Sequence, residues 1–145
     1  MTGWDGFGEG LAEQLTTLAT GSVLIISESG PTGRYAQFLQ SDESLSAELV
    51  GDHYLDPSVR AGEPGCRLIA EAGWRQPEDT VHGHNWQAEL PWPSPSAAYH
   101  RLAAMTVTGL RDALRITSPQ TLVYDAWGRE NHPLRLPLLG LTPKT

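Results

Sequence analysis

The sequence predicts helices laid on one face of an antiparallel sheet, and three observations carry that expectation. Three short apolar segments separated by turn residues, 22–28 (SVLIISE), 34–40 (RYAQFLQ) and 44–50 (SLSAELV), read as a meander. An amphipathic stretch precedes them and a longer one follows. A meander with one apolar face has to be covered, and helices are the available cover.

Taken in order, Trp4, Phe7, Leu11, Leu15 and Leu18 recur at spacings of three and four, which predicts a helix over 4–18 with Thr2 as its cap, although glycines at 6, 8 and 10 weaken it. The strands follow, joined by turns at 29–33 and 41–43; in the third, Leu45, Ala47 and Leu49 alternate with polar residues, the pattern of one buried face. Asp56-Pro57 and Glu63-Pro64 read as helix starts, and Cys66, Ile69 and Ala70 share a face that Gly73 terminates. Strands are expected at 74–76 and 86–90. Ser94-Pro95 should cap a five-turn helix carrying Tyr99, Leu102, Ala103, Thr106, Leu110, Ala113 and Leu114, and TLVYDAW over 121–127 should close the sheet. The expected order is α-β-β-β-α-β-β-α-β, a single domain over 1–127. Residues 128–145 form a Pro-punctuated, leucine-rich tail, too apolar to remain in water, and its segment Leu134 to Leu141 is expected to lie extended against its own sheet or a neighbouring protomer in imitation of a bound client.

The net charge of −7 is uneven, with 4 arginines against 14 acids over 1–89 and 6 basic residues against 3 acids over 90–145. Without a basic stripe the chain is a poor ligand for nucleic acid, and the arginines at 101, 111, 115, 129 and 135 are better read as a solvated face. The longest apolar run, Val23 to Ile26, is far below the roughly 20 residues that span a bilayer. One cysteine and no secretion signal lead to an expectation of the cytoplasm and of no membrane.

HGHN over 82–85 raises the question of a metal. His82 and His84, with Asp79 nearby, are ligand-competent, but a site would need further donors from His53, His100 or His132, so a small metal-binding protein or metal-dependent enzyme is the rival reading. The Gly6-to-Gly10 run follows no strand and is no nucleotide loop. Cys66 with a histidine and Asn85 would need an activated thiol, and Glu78 with Asp79 would need burial to divide their proton affinities. No nucleophile elbow or phosphate loop is present, so no catalytic centre and no cofactor are expected. Trp74, Trp86, Trp92 and Trp127 sit beside Pro and Gly at element edges, where an indole can pack a corner or grip a partner.

Gly73-Trp74, Pro77, Asn85-Trp86, Leu90-Pro91-Trp92-Pro93, Leu110-Arg111 on a long helix, Ser118-Pro119, and Leu122, Tyr124, Ala126 and Trp127 together form a pattern. With the Trp4/Phe7 helix and the 34–40 strand, it resembles the TY-Chap domains, a bacterial family related to YbjN and to type III secretion chaperones, over residues 4–127. That resemblance implies an α+β, secretion-chaperone-like fold, often a homodimer, with a peptide-binding or chaperone-like role and neither cofactor nor catalytic residues. The His82-Gly83-His84 loop and the tail depart from the family pattern. The expected activity is binding of a protein or peptide client through Tyr35, Phe38, Trp86, Trp92 and Trp127, with a pure self-assembly module as a further alternative.

Overall fold

A computed structural model describes residues 3–77 and 83–144. Helix α1 spans Trp4–Thr17, followed by β1 (Val23–Glu28), β2 (Tyr35–Gln40) and β3 (Ser44–Leu49), then α2 (Gly62–Ala72), β4 (Trp86–Pro91), α3 (Ser96–Val107), β5 (Leu122–Trp127) and β6 (Thr142–Pro143). The sheet has six strands in the order β4-β3-β2-β1-β5-β6, antiparallel throughout except for the β5–β6 pair. With α-helices gathered on an antiparallel sheet, the fold is α+β, as expected.

The alternation read from the sequence fixes the faces. Leu24 and Ile26 of β1, Ala36 and Phe38 of β2, Leu45, Ala47 and Leu49 of β3, and Leu122, Tyr124 and Ala126 of β5 are buried in one core. Phe7, Leu11 and Leu15 of α1 and Tyr99, Leu102 and Ala103 of α3 close over it, and these two helices pack on each other. In register, Leu49 faces Trp86 and Ala47 faces Ala88, so β4 extends the same apolar face. The opposite face carries half-buried and exposed side chains.

Several boundaries depart from expectation. The cap assigned to Thr2 lies outside the described residues, and Gly3 holds the N-cap position. Over 74–76 only Arg75 pairs, in a single bridge to Gln87, because the Trp74 indole turns inward to donate to the Met105 carbonyl (3.0 Å) and Pro77 has no N–H with which to continue a ladder. Ser94 does not cap α3: its hydroxyl turns back to the Pro91 carbonyl, and the helix starts one residue after Pro95. The five-turn stripe is real, but its end, Thr108–Ala113, is a π-helical turn. Gly73 does end α2, at a φ of 121° that side chains rarely adopt.

The tail docks on its own sheet. After a turn at 129–132, Leu134 N–H donates to the Ala126 carbonyl (3.0 Å); the run expected to be extended is then broken by a 3-10 turn over Pro137–Leu139, with Gly140 left-handed at φ 68°, and β6 returns parallel to β5 with Thr142 beside Val123. Leu136 and Leu139 are buried, and Leu134 and Leu141 pack partly on the core. The outer edge of β5, which would otherwise present unpaired peptide groups, is covered by residues 133–144.

Candidate functional site

Two surfaces concentrate chemistry-bearing side chains. The first is a cleft of ≈550 Å³ between the 52–54 turn, α2 and the start of β4, lined by Asp52, His53, Cys66, His84 and Trp86 among others. Asp52 is positioned by the turn so that its two carboxylate oxygens accept from Ala61 N–H (2.8 Å) and Gly62 N–H (3.0 Å) at the start of α2. The same carboxylate accepts from the Cys66 thiol, 3.7 Å away. Burial pushes the thiol's proton affinity up, and the charge and hydrogen bond of Asp52 raise it further, so Cys66 is held as a thiol and not as a nucleophilic thiolate. The imidazoles of His53 and His84 stack with centroids 3.8 Å apart, and the Tyr54 hydroxyl accepts from the His84 backbone N–H.

This cleft answers the metal question only in part. His82, Glu78 and Asp79 lie outside the described residues, and among the described residues no group of three His, Cys, Asp or Glu side chains is arranged to hold a metal. Of the supplementary histidines, His53 does meet His84, while His100 lines a separate recess between α1 and α3. Asn85, considered as a partner for Cys66, instead accepts from Gly51 N–H (3.0 Å) and donates to the Tyr35 hydroxyl (2.9 Å) and to Glu48 (3.0 Å), spending its amide on joining β2, β3 and the approach to β4. Two of the arginines have local partners: Arg111 pairs with Asp112, and Arg115 donates to the Arg60 and Ala61 carbonyls.

The second surface is the sheet face opposite the helices. The strand register sets Trp127, Val23, Leu39 and Ser46 in one row, and Asp125, Ile25, Gln37 and Glu48 in the next. Its apolar members are half-buried, apart from Leu39, which is 47% exposed. Every charged side chain that the strands themselves place on this face, Glu48, Glu89 and Asp125, is a carboxylate. At the β4 rim Arg75 reaches in to donate to Gln87.

The five residues expected to grip a partner divide between these places. Tyr35 and Trp127 stand on the open face, Trp86 lines the cleft from the core side at 4% exposure, and Trp92 projects beyond the end of β4 at 40% exposure. Phe38 requires correction: at 1% exposure it faces the helices, because it falls on the even-numbered, buried register of β2, and no partner can touch it in the folded chain. Val23, Ile25, Leu39 and Val123, not among those five, also stand on the open face. The signal was available, since β1 is apolar at both registers, which is more than a strand covered on one side requires.

A family model described as T3SS (YopN, CesT) and YbjN peptide-binding chaperone 3 matches residues 1–128. The chain belongs to this family, TY-Chap3. No curated protein and no solved structure matches it. The matched stretch nearly coincides with the 4–127 over which the resemblance was drawn, and it supports a peptide-binding, chaperone-like role for the TY-Chap3 chain. Among the described residues no helix is long and apolar enough to cross a membrane.

Proposed function

We propose that this TY-Chap3 protein is a non-enzymatic chaperone-like binder that takes an extended, apolar and basic segment of a client protein across its open sheet face. One observation carries the reading: the face joins a band of apolar side chains, Val23, Ile25, Leu39, Val123 and Trp127, to strand-borne charges that are all carboxylates, Glu48, Glu89 and Asp125, with Arg75 at the β4 rim engaged by Gln87. An apolar strip framed mainly by carboxylates suits a partner of complementary composition, with the charges setting encounter and orientation and the apolar strip setting residence. Tyr35 stands on the same face beside the band, Trp92 projects past the end of β4, and Trp86 lines the separate cleft. Family kinship and an unpaired thiol support a setting in the bacterial cytoplasm, and a homodimer is the assembly we expect, to be read by sedimentation.

The test is binding of immobilised peptides of mixed apolar and basic composition to the full chain and to Leu39→Asp. Leu39 is exposed, so stability should change by less than about 0.5 kcal/mol, while affinity falls at least tenfold and the residual binding weakens with added salt. Unchanged binding by Leu39→Asp, or equal binding of acidic peptides, would sink the reading.

A further inference from the structure

The groove that holds the tail recognises backbone more than side-chain identity. Its floor is the outer edge of β5 and its wall is α1. Four tail amides are taken up: Leu134 N–H by the Ala126 carbonyl (3.0 Å), Leu136 N–H by the Tyr124 hydroxyl (3.0 Å), Leu138 N–H by Gln14 Oε1 (2.9 Å) and Lys144 N–H by the Tyr124 carbonyl (2.7 Å). Gln14 is a polar residue at 6% exposure on the apolar face of α1, and its acceptor is directed at the tail. Gly10, one turn earlier, admits the Leu138 carbonyl: a Cβ there would stand 1.9 Å from that oxygen. Side-chain recognition is confined to leucines, with Leu136 and Leu139 sealed, Leu134 and Leu141 half-covered, and Arg135 and Leu138 facing water.

The groove and its occupant also differ in origin within the chain. Gly10, Gln14, Tyr124 and Ala126 all lie inside the stretch matched by the family model, 1–128, and the docked segment lies outside it. A receptor built from the family domain is thus filled by a segment appended to that domain.

We infer that the groove between α1 and β5 is a peptide-binding site, that residues 129–144 are its tethered ligand, and that a protein segment with leucines spaced as Leu134, Leu136, Leu139 and Leu141, able to make the turn that Pro137–Leu139 makes here, takes their place. The identity of the displacing partner rests on the peptide-binding reading above; the groove itself does not. A tethered segment competes at an effective concentration on the order of millimolar, so a free segment enters only when it binds tightly or when the tail is weakened. Its release would expose the β5 edge for strand pairing with the incoming segment.

The experiment uses the full chain, wild type and Leu136→Ser/Leu139→Ser, with three labelled synthetic probes: residues 129–144, the same length with only the four leucines retained, and the native segment with those leucines replaced by serine. The first two should bind the double variant at least tenfold more tightly than wild type, and the third should bind neither. Equal binding to both chains, no binding to a double variant that keeps its circular dichroism spectrum, or failure of the leucine-only probe while the native one binds would overturn the inference. Adding Leu39→Asp to the double variant should leave binding of the 129–144 probe unchanged, and a loss would place that probe on the open sheet face and overturn it too. Should the double variant fail to fold, hydrogen exchange of the wild-type chain decides: the Leu136, Leu138 and Lys144 amides should open at least tenfold more often than those of Ile25 and Phe38, and equal protection would make the tail part of the indivisible core. A concentration-dependent wild-type dimer that exchanges tails and resists the leucine-only probe would assign the groove to a second copy, contrary to the proposal.

Discussion

Gly10 shows how one residue can oppose its own secondary structure for the sake of a distant contact. Glycine in a helix interior is about 1 kcal/mol less favourable than alanine, so propensity alone expects Gly10→Ala to stabilise α1. The added methyl would meet the Leu138 carbonyl at 1.9 Å, and overpacking of this kind costs about 1–3 kcal/mol. Urea denaturation of Gly10→Ala should therefore show a net loss of stability, and a gain would mean that the tail does not hold its position against α1. Cys66 yields a second residue-scale expectation. Its thiol is shifted upward by burial first and by Asp52 second, so the thiolate fraction at neutral pH is below that of free cysteine and alkylation should lag until the solution is alkaline. Asp52→Asn removes the charge and should quicken alkylation at pH 8, while costing about 1–2 kcal/mol through weaker acceptance from the Ala61 and Gly62 amides. An alkylation rate indifferent to that change would rule out Asp52 as a cause.

At the scale of elements, Arg34 secures the turn between β1 and β2. Its guanidinium is paired with Glu28 at 2.6 Å, with the two side chains 12% and 13% exposed, and it also donates to the Leu114 carbonyl at the end of the π-helical turn. Thr32 donates to the same carboxylate oxygen. Removing one member of such a covered pair leaves the other charge without its partner, so Arg34→Ala should cost about 3 kcal/mol, and Arg34→Lys should restore little of it, because an ammonium cannot span a carboxylate and a carbonyl at once. Thermal denaturation of the two variants checks this: full recovery by lysine would reduce the interaction to simple charge. The sheet edges illustrate the same economy of partners, with β5 covered by the tail and β4 met, among the described residues, by a single bridge from Arg75 and ended by Pro91.

Over the whole molecule, the tail ties β5 to the first helix, joining residues far apart in the chain, as in the bond from Leu138 to Gln14, 124 positions away. Leu139 is fully buried, and Leu139→Ala should lower stability by about 2–5 kcal/mol. Its neighbour Leu138 is 53% exposed, and Leu138→Ser should stay within about 0.5 kcal/mol of wild type. Denaturant midpoints of the pair measure whether the docked register is the one occupied in solution; equal effects would deny it. The division of labour between surfaces also belongs to this scale: an apolar sheet face with strand-borne carboxylates lies on one side of the molecule, and the leucine groove lies at the edge and beneath α1.

The amino-acid sequence by itself determined the meander, the apolar face of each strand, the two amphipathic helices and the family, because period-two and period-3.6 patterns and the Trp, Pro and Gly positions are local properties of the chain. It also implied that the tail had to be docked, since five leucines within eight residues are costly to leave in water. Only the tertiary structure decided where. The strand order that puts β5 beside β1, the pairing of 142–143 with its free edge, the meeting of His53 with His84, the burial of Phe38 and the need for glycine at position 10 all depend on residues far apart in sequence. Each is set by which surfaces remain unsatisfied once the local elements have formed, and that quantity exists only when the elements are assembled.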